Sequence, residues 1–208
     1  MTRLAVLASG GGSLTAGVLA AVAAGELAAD VVGIFSDRAD AGVLDVASIS
    51  GTPSAVVTPH SYPDRTAWNR ALADTVQALN PDWVISLGFM RLLGPVFLHR
   101  FPNRIINTHP ALLPAFPGAH AVRDALTYGV RVTGCTVHLV DSGVDTGPVI
   151  AQAPVDVHDD DDEHSLHARI KAAERGLVVE VLIAVSAGDE FCGPPGQRVR
   201  QAIARSNG

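Results

Sequence analysis

The segment Leu4-Ala5-Val6-Leu7-Ala8-Ser9-Gly10-Gly11-Gly12-Ser13 runs a short apolar stretch into three glycines and then into a helix-like segment over 13–24. An apolar run without polar alternation is the signature of a strand covered on both faces. The same signature returns at Val31 to Ser36, Ala55 to Thr58, Trp83 to Leu87 and Arg104 to Asn107, with helix-like segments near 40–50, 63–79 and 92–99 between them. Strands alternating with helices predict a parallel sheet with helices on both faces. After a helix near 119–128, Arg131 to Val140 and Pro148 to Val157 read as longer strands joined by a tight turn and added antiparallel to the sheet. A final helix is expected over 162–187, and the acidic run Asp159 to Glu163 before it suits the free amides and positive end of a helix N-terminus. A metal site is the second reading of that run. The expected fold class is therefore α/β: a Rossmann-like, mostly parallel sheet in the order 3-2-1-4-5, with helices on both faces and an antiparallel C-terminal extension.

Of the 208 residues, 48% are hydrophobic and 17% charged, which suits one substantial core. Residues 1–187 are expected to form that domain, and 188–208, with Gly193-Pro194-Pro195-Gly196, a tail without periodicity. No apolar run approaches the roughly 20 residues needed to cross a bilayer. The N-terminal Met1-Thr-Arg-Leu-Ala-Val-Leu-Ala-Ser9 enters a strand directly, without signal-peptide organisation. A cytoplasmic protein with no membrane partner is expected, and Cys135 and Cys192 then read as reduced thiols. The net charge of −6 argues against a nucleic-acid partner, which needs a basic surface. It leaves room for one small anion held by backbone dipoles.

Ser9-Gly10-Gly11-Gly12-Ser13 ends a strand and opens a helix, so its amides can face a phosphate. The pattern departs from Gly-x-Gly-x-x-Gly after Gly12 and carries no P-loop lysine. A plain strand-to-helix turn explains the glycines equally well.

A second segment, Asn107-Thr108-His109-Pro110, lies at the end of the fifth strand-like run, and Asp145-Thr146-Gly147-Pro148 follows the sixth. Strand alternation puts Asn107 and His109 on one side. An Asn amide donates to a developing oxyanion, and an Asp opposite an imidazole orients it and favours its protonated form. His60, His99, His158, His164 and His167 lack such neighbours and read as structural. No serine or cysteine stands in a nucleophile elbow, so direct transfer of a small activated acyl group to a substrate amine fits better than covalent catalysis.

The segments Leu87-Gly-Phe-Met-Arg-Leu-Leu-Gly-Pro95, Asn107-Thr-His-Pro-Ala-Leu-Leu-Pro-Ala-Phe-Pro-Gly-Ala-His120, Gly134-Cys-Thr-Val-His-Leu-Val140 and Asp145-Thr-Gly-Pro-Val-Ile-Ala-Gln152 resemble the folate-dependent formyltransferases. The Ser-Gly-Gly-Gly-Ser loop and Pro-Ala-Phe-Pro-Gly resemble, within them, those that formylate phosphoribosylglycinamide in purine (IMP) synthesis. The resemblance runs from about residue 3 to about residue 186. It implies 10-formyltetrahydrofolate as co-substrate, no metal, and small-molecule partners only, with the oligomeric state open between monomer and homodimer. It implies catalytic roles for Asn107, His109 and Asp145. Gly11, Gly12, Ser13 and the Leu14 amide would hold the substrate phosphate, with Lys171 and Glu174 on its phosphate and ribose. Arg65, Met90, Arg91, Leu92, Leu93, Asn107, Val140 and Val144 would contact the folate. Leu14 departs from the Asn common in the family, which removes one side-chain contact to phosphate.

The rival readings are a formyltetrahydrofolate hydrolase, with water as nucleophile, a methionyl-tRNA formyltransferase, a sugar-nucleotide formyltransferase, and a non-catalytic folate- or nucleotide-binding module. The first three ordinarily carry further domains. The last has no use for Asn107, His109 and Asp145 together.

Overall fold

The computed structural model of the protein describes residues 1–188. The expected tail beyond Gly188, and Cys192 with it, lies outside the described residues. Strands β1 (Thr2–Leu7), β2 (Ala29–Ser36), β3 (Ser54–Val56), β4 (Trp83–Ser86), β5 (Ile105–His109), β6 (Val132–Leu139) and β7 (Val149–Asp156) form one sheet in the order β3-β2-β1-β4-β5-β6-β7. Pairing is parallel through β5 and antiparallel for β6 and β7, as the alternation predicts.

The apolar runs of β1, β2, β4 and β5 have no polar alternation because each of these strands feeds two cores. Leu4 and Val6 of β1 point into a core shared with helices α1 (Ser13–Ala23) and α6 (Glu163–Ser186). Ala5 and Leu7 point into the opposite core, with Trp68 and Leu72 of helix α3 (Arg65–Gln77) and Phe97 of helix α4 (Pro95–Arg100). Leu4 and Leu7 are both fully buried, and each such side chain contributes about 2 kcal/mol. Helices α2 (Val43–Ser50) and α5 (Ala121–Tyr128) complete the covering layers.

Two helices, α3 and α6, start on a side-chain cap. Asp64 caps α3 by accepting from the Ala67 amide at 2.8 Å. Asp162 and Ser165 exchange side-chain-to-backbone bonds at the start of α6, a capping box. Asp161 pairs with Arg169 and Asp159 with Arg131, so the acidic run caps a helix and binds arginines. Among the described residues no helix is long and apolar enough to cross a membrane.

The connection between β6 and β7 is not the tight turn expected from sequence. Residues 140–148 make a longer loop, braced by Asp141 Oδ1, which accepts from the Gly143 amide at 2.9 Å and the Thr146 hydroxyl at 2.7 Å. The apolar strand pattern runs on to Val140 and restarts at Pro148, which disguises how much chain projects beyond the sheet. That projection carries Asp145 to the end of β5.

Candidate active site

The carboxyl ends of β1, β4 and β5 lie side by side at the centre of the sheet, where ligands of open α/β folds sit. Three connections meet there: the glycine loop after β1, residues 87–94 after β4, and residues 110–120 after β5.

Asn107 and His109 share one face of β5, the face of the core that contains α3, while Thr108 faces α6. His109 is 4% exposed, and both ring nitrogens face acceptors: Nε2 stands 2.8 Å from the Phe116 carbonyl oxygen and Nδ1 3.3 Å from Asp145 Oδ2. A carbonyl and a carboxylate both accept hydrogen bonds, so the ring is oriented from both of its nitrogens. Asp145 reaches His109 from a left-handed backbone, φ 55°, which aspartate tolerates better than most residues. Its Oδ2 also accepts from the Gly118 amide at 2.8 Å. The His138 ring facing it is the main cause that holds the Asp145 carboxyl below the usual aspartate range. Burial opposes the shift, and the Gly118 amide and the charge of both histidines assist it.

His138 belongs to this group and was not singled out from sequence. Antiparallel pairing sets it directly across from Asn107. Its Nδ1 donates to the Leu139 carbonyl at 2.9 Å, which turns Nε2 toward the Asn107 amide at 3.1 Å and Asp145 Oδ1 at 3.6 Å. The alternation Gly134, Thr136, His138 puts it on one face with Thr136, but only the β5–β6 register says which residue it meets. Thr136 and Gln152, also unmarked in the sequence, hold the chain after His109. The Thr136 hydroxyl donates to the Ala111 carbonyl and accepts from the Leu113 amide, and Gln152 donates to the Leu113 carbonyl.

Glu174 lies on the other side of β5. It is 4% exposed, and burial pushes its carboxyl above the usual range, against the Thr108 hydroxyl and the Lys171 charge. The Cys135 thiol beneath the same strands is pushed up to about 12 by burial and then by Glu174, so it is inert. Helix α6 approaches α1 closely because Gly17 has no side chain. A Cβ there would meet Arg175 Cγ at 2.5 Å.

In the glycine loop, Gly12 is the residue before α1, with φ 77°, and a Cβ on it would come 2.8 Å from Val43 Cα. Nothing lies within 4 Å of a Cβ at Gly10 or Gly11. Gly12 thus serves the turn, while Gly10 and Gly11 leave open space above it. Ser13 is exposed, and the Leu14 side chain is 8% exposed in the α1–α6 core. Only the Leu14 backbone is left to face a ligand.

On the opposite flank, Met90, Leu92 and Val144 are 71%, 54% and 45% exposed, while Leu93 and Val140 pack onto the α3 core. Arg65 donates to the Leu92 carbonyl at 2.9 Å and so braces that loop. Arg91 is half-exposed and pairs with Asp37.

The formyl transferase family model matches residues 2–182. The phosphoribosylglycinamide formyltransferase of Mycobacterium tuberculosis strain H37Rv is 53% identical over 184 residues, 88% of this chain and 85% of that protein. That of Bacillus subtilis strain 168 is 36% identical over 174 residues, 84% of this chain and 89% of that protein. The crystal structure of glycinamide ribonucleotide transformylase 1 from Symbiobacterium toebii superposes with a TM-score of 0.91 at 43% identity, covering 93% of this chain and 92% of that one. Over most of their length these enzymes share this chain's sequence and fold, and the chain belongs to the formyl transferase family, among the phosphoribosylglycinamide formyltransferases.

Proposed function

We propose that the protein transfers the formyl group of 10-formyltetrahydrofolate to the amine of 5'-phosphoribosylglycinamide, in the cytoplasm, as a step of purine synthesis. The observation that carries this reading is the convergence of Asn107, His109 and Asp145 at the end of β5, between an apolar, exposed flank and a glycine loop.

The amine nitrogen attacks the formyl carbon, and the carbonyl oxygen takes up negative charge. The Asn107 amide and an imidazolium at His109 stabilise that oxyanion, and Asp145 maintains the imidazolium. Collapse of the tetrahedral intermediate breaks the bond from carbon to N10 of the folate. The proton lost by the amine balances the one gained by N10. His109 Nε2 is occupied by the Phe116 carbonyl in the structure, so the 110–120 connection has to release it before it can donate to substrate. Phe116 has a φ of 52°, a strained conformation for a bulky residue and a fit place for such a release.

Folate binding is assigned to Arg65, the Met90 to Leu93 segment, Asn107, Val140 and Val144. The amides of Gly11, Gly12, Ser13 and Leu14 at the start of α1 are assigned to the phosphate. Lys171 and Glu174 are assigned to the phosphate and ribose; the buried Glu174 carboxyl supports polar ligand chemistry there. The deciding experiment offers 10-formyltetrahydrofolate with the ribonucleotide, with a nucleotide-sugar amine, or with water alone. Formyl transfer to the ribonucleotide is expected. Equal release of formate in water alone would replace this reading with hydrolysis.

A further inference from the structure

Asp37 follows the last residue of β2, and its side chain is 1% exposed although it carries a carboxylate. Such a group persists in a protein interior only when it is paired and hydrogen-bonded. Its partners are informative. The Ser9 hydroxyl donates to Oδ1 at 2.6 Å, and Arg91 Nε donates to Oδ2 at 2.7 Å. The same Ser9 oxygen accepts from the Met90 amide at 2.9 Å, and the Ser9 amide donates to the Gly88 carbonyl at 3.2 Å. One carboxylate therefore grips two consecutive residues of the loop after β4, Met90 through Ser9 and Arg91 directly.

The gripped segment is the one whose apolar side chains, Met90 and Leu92, stand in water. Core packing anchors the loop at Phe89 and Leu93 but not at Met90 or Leu92, and no gain in stability comes from presenting those two to solvent. Fixing it in advance does help a ligand that covers it, because ordering is then complete before binding. Two further bonds fix the same loop, from Arg65 to the Leu92 carbonyl and from the Gly94 amide to Asn69 Oδ1. Asp37 adds Arg91 to the direct bonds that Met90 and Gly88 make with Ser9, the residue from which the glycine loop starts, and so ties both loops to one carboxylate.

We infer that Asp37 is a positioning residue for the folate: through Ser9 and Arg91 it sets the Met90–Leu92 backbone in its binding geometry and holds it against the phosphate loop. The inference rests on the reaction proposed above. A positioning role of this kind acts on affinity for one substrate and leaves the chemical step alone.

The test uses the full-length protein and the conservative variant Asp37→Asn, which keeps an acceptor for Ser9 and gives up the charge on Arg91. The KM for 10-formyltetrahydrofolate should rise about tenfold, while kcat and the KM for the ribonucleotide change by less than about twofold. Arg91→Met should raise the folate KM similarly, and the double variant should be no worse than the worse single one. An unchanged folate KM, additive effects, or equal rises in both KM values with a lowered Tm would overturn the inference. Should Asp37→Asn fail to fold, Ser9→Ala breaks the link to Met90 and leaves the ion pair. A folate KM equal to wild type in that variant overturns the inference as well. Calorimetry with 5-formyltetrahydrofolate, which cannot be turned over in place of the donor, separates this inference from the reaction. A wild-type protein that binds this folate but transfers nothing overturns the reaction alone, and the loss of affinity in Asp37→Asn still decides the positioning role.

Discussion

His109 Nδ1 lies 3.3 Å from Asp145 Oδ2, while the opposite ring nitrogen faces a carbonyl oxygen, so the histidine sits between two acceptors before any substrate arrives. The ring is therefore held from both nitrogens in the resting protein.

Replacing Asp145 with Asn removes one of those acceptors' charges and keeps its shape. Turnover should fall at least a hundredfold, on the scale of losing an oxyanion donor, with the KM values for both substrates little changed. Steady-state kinetics on the folded variant checks this. His109→Ala and Asn107→Ala should each cost about a hundredfold or more, and the double variant less than the product of the two, because both act on one charge.

The pH dependence of stability should carry the mark of Asp145. Its folded value is depressed, so its contribution is complete above the ordinary aspartate value of about 4 and is lost as pH falls through the depressed one. Wild type should therefore lose more stability than Asp145→Asn as pH falls below about 4. Denaturant melts of the two proteins across that range decide it.

Glu174 predicts the opposite sign. Burial raises its value in the folded state, so stability falls as pH rises from the ordinary glutamate range to that raised value. Glu174→Gln should be at least as stable as wild type at neutral pH, yet have a KM for the ribonucleotide about tenfold higher, the scale of one hydrogen bond to a charged group. A lowered Tm at neutral pH would contradict the first half, and an unchanged KM the second.

Adjacent glycines should respond differently to alanine. Gly11→Ala has open space and should leave Tm unchanged while raising the KM of the phosphate-bearing substrate. Gly12→Ala meets Val43 and requires a left-handed backbone, so it should cost about 1–3 kcal/mol of stability. Melting curves beside KM values for both variants separate ligand space from turn geometry.

Leu14→Asn, which would restore the side chain common in the family, should destabilise the fold by about 2 kcal/mol or more, because the position is core. A calorimetric melt of that variant measures the loss.

The parallel half of the sheet was legible because burial on both faces writes an unmistakable apolar run, and the glycines and prolines mark where each run stops. Asn107 and His109 were legible as well, since alternation within one strand needs no knowledge of any other strand. His138 was not, because its meeting with Asn107 depends on the register between β5 and β6, set by pairing across 31 positions of chain. The 140–148 loop looked like a tight turn because apolar residues run up to it on both sides. Leu14 was read for the contact it lacks; its packing between α1 and α6 depends on how two distant helices meet. Asp37 carries no pattern at all in sequence, since its partners come from two other strand ends.

Strand β5 sorts its side chains by parity. Odd positions 107 and 109 face His138 and Asp145, and the even position 108 stands over Glu174 on the opposite face. An insertion or deletion of a single residue within 105–109 would exchange the two sets, placing a threonine beside Asp145 and the imidazole against a buried carboxyl. The spacing Asn-x-His is therefore a frame as much as a motif. Substitutions there can be graded in their effects, whereas a change of length cannot.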